Sequence, residues 1–204
     1  MFLKIKHFVI LITILVCCSC KQEPLKLTKI EGRQLLIDSS IVSNDSVESF
    51  VMPYRTRINE VLDSTLAHAP FKISKDDGEF NTPAGNLMAD IVLEQAGPIY
   101  KSRTGNEIDF VLLNHGGIRS IISKGKVSAR TAFEVMPFEN SMVVVELNGK
   151  SVKKLVDYLL NSKRAHPISG IQIILNRNSS LKSVTIQNKP LDDNRIYHIA
   201  TSDY

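Results

Sequence analysis

All three cysteines of this 204-residue chain sit at Cys17, Cys18 and Cys20, directly behind an apolar run from Phe8 to Val16 that only Thr13 interrupts. Whatever folds beyond them has no thiol for a disulfide or a cysteine metal site, so it must hold together by burying apolar surface. Lys4 and Lys6 precede the run, and the order basic, apolar, small is that of a secretory signal, here spanning residues 1–19. A membrane-spanning helix needs about 20 apolar residues, roughly twice what this run offers. With 43% hydrophobic and 23% charged residues the chain is neither collagen-like, nor wholly disordered, nor multi-spanning. A domain of this size buries about two-thirds of its unfolded surface without staples. The net charge of +4 includes Lys4 and Lys6, so residues 20–204 carry 23 basic against 21 acidic side chains, too even a balance for a nucleic-acid surface.

Residues 20–44 are polar with apolar patches at Leu25, Leu27, Ile30, Leu35 and Ile37, and read as a tether that could include one opening strand. From residue 45 to 204 the pattern is that of one domain. Asp45, Ser46, Val47 and Glu48 have capping-box spacing. Val47, Phe50, Val51, Tyr54, Ile58, Val61, Leu62 and Leu66 then recur at intervals of three and four, predicting an amphipathic helix whose stripe is a packing face. Pro53 inside it predicts a kink or a second start. A further helix is predicted over 86–95, stopped by Gly97 and Pro98, and Ser128 caps a short one that ends before Pro137. Asn148-Gly149 predicts a tight turn into a helix over 151–160. Apolar runs at 108–113, 142–147, 171–175, 184–187 and 197–201 predict strands. Helices and strands mix without strict alternation, so the fold class is α+β, a mixed sheet with helices packed against it.

The sharpest local signal is Asn114-His115-Gly116-Gly117-Ile118-Arg119 directly after a buried strand. Two glycines let backbone approach a ligand closely, and Arg119 offers a fork for phosphate or carboxylate. A turn that needs glycine for positive φ explains the pair equally well. His115 has no carboxylate partner in view and reads as a structural donor rather than a base.

Several ordered blocks together resemble the C-terminal, nucleotide-binding domain of the 5'-nucleotidase family. They are Thr82 to Asp90, Asn114 to Arg119, Met136 to Asn140, Glu146 to Lys150 and Tyr197 to Tyr204. The resemblance implies that Asn114 hydrogen-bonds a nucleobase, Gly117 lines the pocket floor and Arg119 contacts phosphate. It also implies that Phe138 and Tyr204 stack on the two faces of the base. Aromatic stacking gives roughly 1–3 kcal/mol per base and tolerates different bases. Two departures stand out. The stretch Asp76-Asp77-Gly78-Glu79-Phe80-Asn81 lacks an arginine the family often has there and places three acidic groups nearby. The chain also stops at Tyr204, where the family continues into a Gly-Gly-Asp segment, so truncation of the domain is the expectation.

The family's other half is a metallophosphatase domain with a two-metal site, and its ligand spacings are absent here. His68, His115, His166 and His198 stand in no Asp-x-His or Gly-His-x-His arrangement, and neither a Gly-x-Ser-x-Gly elbow nor a phosphate loop occurs. This chain is therefore expected to bind no metal or cofactor and to have no catalytic residue of its own, any divalent metal pair belonging to a partner metallophosphatase. The first twenty residues resemble a bacterial lipoprotein signal, with Cys20 as the lipidated residue, Ser19 before it and Lys21, Gln22 and Glu23 after. Cys18 is the second choice, and a plain signal with incidental cysteines the alternative. The expected place is the bacterial cell envelope, reached through a lipid anchor. Three readings stand: the binding domain of a split 5'-nucleotidase, a surface lipoprotein that captures nucleosides without a catalytic partner, and a structural module that has lost its ligand.

Overall fold

The computed structural model describes residues 26–204 together with Lys6, His7, Val9, Ile12 and Thr13; the cysteines and Leu25 lie outside the described residues. The chain divides into two units, Met1–Val47 and Glu48–Tyr204. Residues 26–38 have no regular structure and 39–44 only bends and a turn, so no opening strand forms there, and Leu27, Ile30, Leu35 and Ile37 are exposed.

Helix α1 (Asp45–Leu62) runs unbroken through Pro53. Its cap is Asn44 and not Asp45, since Asn44 Oδ1 accepts from the amides of Ser46 and Val47. No residue of α1 is buried, so the stripe expected to pack lies open, with Phe50 71% exposed. Leu66, assigned to this helix by periodicity, belongs instead to β1 (Thr65–Ala69).

Helix α2 (Pro83–Thr104) is twice the predicted length and continues through Gly97 and Pro98 to a left-handed cap at Gly105. Thr82 accepts from the amide of Gly85, and Pro83 takes the first-turn position where its missing N–H costs nothing. An interior proline costs about 3 kcal/mol. The stripe Met88, Val92, Ala96 and Tyr100 extends past the break and packs on the core, which offsets that cost.

Strand β2 (Phe110–Leu112), β3 (Gly125–Ser128), helix α3 (Ala129–Val135), β4 (Met142–Asn148) and α4 (Gly149–Ser162) follow. Short β5 (Ile168–Ser169), then β6 (Ile171–Leu175), β7 (Leu181–Ile186), β8 (Lys189–Pro190) and β9 (Ile196–Ser202) complete the domain. Ser128 caps α3 in a capping box with Thr131. The predicted turn at Asn148-Gly149 is instead a direct strand-to-helix junction, with Asn148 as cap. A side chain on Gly149 would meet the Asp192 carbonyl at 1.9 Å, so glycine is required by close approach.

The central sheet has the order β4-β9-β2-β5, with β9 parallel to β2 and antiparallel to β4, and β5 antiparallel to β2. Alternation along the strands separates two cores. Phe110, Tyr197 and Ile199 face Val152 and Val156 of α4, while Val111 and Ala200 face Ala89 of α2. The fold is α+β, with the sheet between two helices and the β6-β7-β8 hairpin sheet contributing Ile171 and Ile186 to the α4 side.

Candidate functional site

The buried strand β2 delivers Asn114 at its exit, where a short 3-10 turn over His115–Gly117 begins. Asn114 Oδ1 accepts from the Gly116 amide at 3.0 Å, which caps that turn. Its Nδ2 has no partner among the described residues and is left as a donor at the surface. Neither Gly116 nor Gly117 has positive φ, so the turn explanation for the pair fails. An added side chain on Gly117 would meet only the flexible end of Met136, Sδ at 3.4 Å, which is an ordinary contact.

His115 is tied by Nδ1 to the Ala165 carbonyl at 3.0 Å, and His166 Nδ1 to the Leu113 carbonyl at 3.3 Å. Each ring donates across to the segment that carries the other, so both act as struts. Burial, above all, pushes His166 below its ordinary pKa; the bond to Leu113 works against this, and the charges of His115 and Arg164 work with it. Neither imidazole joins a metal centre, and among the described residues no three His, Cys, Asp or Glu side chains gather to hold an ion.

Four of the five sequence-predicted binding residues line one cleft of about 140 Å³: Asn114, Gly117, Phe138 and Tyr204, with Asn140 and Ser202 beside them. The fifth, Arg119, places its guanidinium 5.0 Å from the centre of the Phe138 ring. Phe138 and Tyr204 lie near-parallel, their centroids 6.1 Å apart and their planes 15° from each other. Both are solvent-accessible, at 40% and 75%. Carbon layers pack at about 3.5 Å, so a planar ring between them needs roughly 7 Å, and with centroids 6.1 Å apart the pair must part by at least about 1 Å to admit one.

Two backbone segments far apart in sequence are held together to make this pair. The Ser141 amide donates to Asp203 Oδ1 and the Asp203 amide to the Ser141 carbonyl, each at 3.0 Å. That clasp joins the loop carrying Phe138 to the segment carrying Tyr204. Sequence reasoning missed Asp203, Ser141 and Asn140 as positioning residues, although Asn140 lies in the block with Phe138.

The acidic loop upstream is less repulsive than its sequence implies, because Lys72 pairs with Asp77 at 3.2 Å. Lys75 reaches across to donate to the Ile118 carbonyl at 2.7 Å, and the isolated bridge between Ile73 and Ile122 fixes that alignment. The Arg119 side chain, in contrast, forms no ion pair or hydrogen bond among the described residues.

The family description "5'-nucleotidase, C-terminal domain" matches residues 64–204. Protein UshA of Yersinia enterocolitica is 23% identical over 185 residues, covering 88% of this chain and 32% of its own. Protein UshA of Escherichia coli is 25% identical over 180 residues, covering 85% and 31%. Among solved structures, a 5'-nucleotidase precursor from Thermus thermophilus superposes with a TM-score of 0.61 at 21% identity, over 78% of this chain and 33% of that one. The chain thus spans about a third of the length of these relatives.

Proposed function

Given that this chain belongs to the 5'-nucleotidase C-terminal domain family, we propose that its ring cleft grips a nucleoside or nucleoside monophosphate. The observation that carries this is the near-parallel pair Phe138 and Tyr204, exposed at a cleft that the free side-chain amide of Asn114 also lines. The base slides between the rings as they part. Asn114 Nδ2 donates to an acceptor on the base edge, and Gly117 keeps the floor low. Arg119 leaves the Phe138 ring to take the phosphate, an exchange made easy by having no carboxylate to surrender.

In this reading the chain binds and orients, and a separately encoded metallophosphatase supplies the metal-bound nucleophile that cleaves the phosphomonoester. The chain is exported and lipid-anchored through Cys20, which keeps binding domain and partner in the cell envelope. Calorimetry with adenosine and its monophosphate tests the site. Arg119→Ala should weaken the monophosphate and spare adenosine, while Phe138→Ala should weaken both. Equal losses for both ligands in the Arg119 variant would refute its phosphate role. Hydrolysis that appears only when a metal-bearing phosphatase is added supports the split enzyme; hydrolysis by the chain alone contradicts it.

A further inference from the structure

A larger cavity, of about 560 Å³, shares no lining residue with the ring cleft. Its floor is aliphatic, built from Leu159 and Leu160 at the end of α4 and Ile171 and Ile173 of β6. Arg164 and His166 stand at its rim. The volume is within the range of about 300–1,000 Å³ typical of small-molecule pockets. One wall is preformed, because the crossed bonds of His115 to Ala165 and His166 to Leu113 lock the segment that carries His166.

The electrostatics are one-sided. No Asp or Glu lines the cavity, and the Arg164 guanidinium makes no hydrogen bond or ion pair among the described residues. Apart from the His166 imidazole, the other polar groups of the lining are neutral amides and hydroxyls, with Asn86 and Gln172 exposed at its edge. An unpaired planar cation beside an aliphatic floor selects an anion with an apolar body, and a carboxylate matches the guanidinium fork with two parallel bonds. A base-stacking ligand is disfavoured, since Phe80 is the only aromatic carbocycle in the lining and has no opposed ring.

We propose that this cavity is a second binding site, separate from the ring cleft, for a small carboxylate with an aliphatic chain. Arg164 holds the carboxylate and the α4 and β6 side chains cover the hydrocarbon. The test titrates octanoate, and its uncharged counterpart 1-octanol, into the mature chain while amide NMR shifts are followed. Octanoate should give saturable shifts at Asn86, His166, Ile171 and Ile173, and 1-octanol should bind about tenfold more weakly or worse. Arg164→Gln should abolish that difference and Arg164→Lys should restore part of it. The Arg164 side chain is exposed and makes no hydrogen bond or ion pair among the described residues, and the residue's bond from the His166 amide is to its backbone carbonyl, so neither substitution threatens the fold. Absence of shifts at these residues, equal affinity for octanoate and 1-octanol, or displacement of octanoate by adenosine would overturn the proposal.

Discussion

Two arginines in this domain sit over aromatic rings at nearly the same distance, Arg195 over Tyr197 at 4.9 Å and Arg119 over Phe138 at 5.0 Å. Their surroundings make them opposites. Arg195 also binds Asp109 Oδ1 at 2.5 Å, a carboxylate only 5% exposed whose other oxygen accepts from the His198 amide. Tyr197 is 1% exposed and its hydroxyl accepts from the Asp192 amide at 2.9 Å. Arg119 has the ring alone, and that ring is open to solvent. The same contact is thus structural where the guanidinium is also paired with a buried carboxylate, and ready for a ligand where it is not. Both belong to neighbourhoods of β9, one at each end of the strand.

The contrast breaks most visibly at the structural end. Arg195→Ala takes the half-exposed guanidinium from a buried carboxylate that keeps only the His198 amide bond, and should cost about 2 kcal/mol of stability, read by denaturant unfolding. A loss below about 1 kcal/mol would mean that the buried carboxylate does not depend on Arg195. Phe138→Ala should do the reverse, changing stability by no more than about 0.5 kcal/mol while removing about 2 kcal/mol of nucleoside affinity by calorimetry. Tyr197→Phe removes one hydrogen bond and should cost about 1 kcal/mol on unfolding, with nucleoside affinity unchanged.

The smallest effect expected is a pH dependence at the strut between the two loops. His166 is held below its ordinary pKa by burial first. The unfolded chain takes up that proton near pH 6.5 and the folded chain resists, so stability should fall as pH drops through about 6.5 and level off below the folded pKa. Melting curves between about pH 7.5 and 5.5 should be flatter for His166→Gln than for the parent chain, and an identical slope would remove His166 from the account.

Helices α1 and α4 show how far sequence could see. Both carry apolar residues at helical spacing, but α4 buries Val152, Val156 and Leu159 whereas α1 buries nothing. Periodicity states that a face is apolar and is silent on what covers it. Arg130 of α3 bonds Asn59 and Asp63, so α1 is attached to its domain by polar side chains outside its stripe. Helix α2 outran its predicted stop because packing outweighed a local breaker at Gly97-Pro98. Strands β1 and β3 were not read from the sequence. Neither has a periodic apolar run, and they pair with each other across 60 residues of chain.

The five residues of the proposed site stand in ordered blocks of the sequence, and the structure brings Asn114, Gly117, Phe138 and Tyr204 to one cleft with Arg119 against it. What the blocks could not convey is the clasp of Ser141 and Asp203, which exists only once β4 and β9 pair. Nor could they reveal that Gly117 keeps an ordinary backbone angle and lies against Met136.

The central claim is that Phe138 and Tyr204 part to admit a base. Titration of adenosine into the mature chain, followed by NMR shifts of the two rings and of the Asn114 side-chain amide, tests it most directly. The account predicts saturable upfield shifts of the Phe138 and Tyr204 ring protons together with a shift of Asn114 Nδ2, the Tyr204 and Asn114 shifts being lost in Phe138→Ala. Adenosine at millimolar concentration that leaves these three side chains unmoved, or that shifts Tyr204 and Asn114 equally in Phe138→Ala, would contradict it.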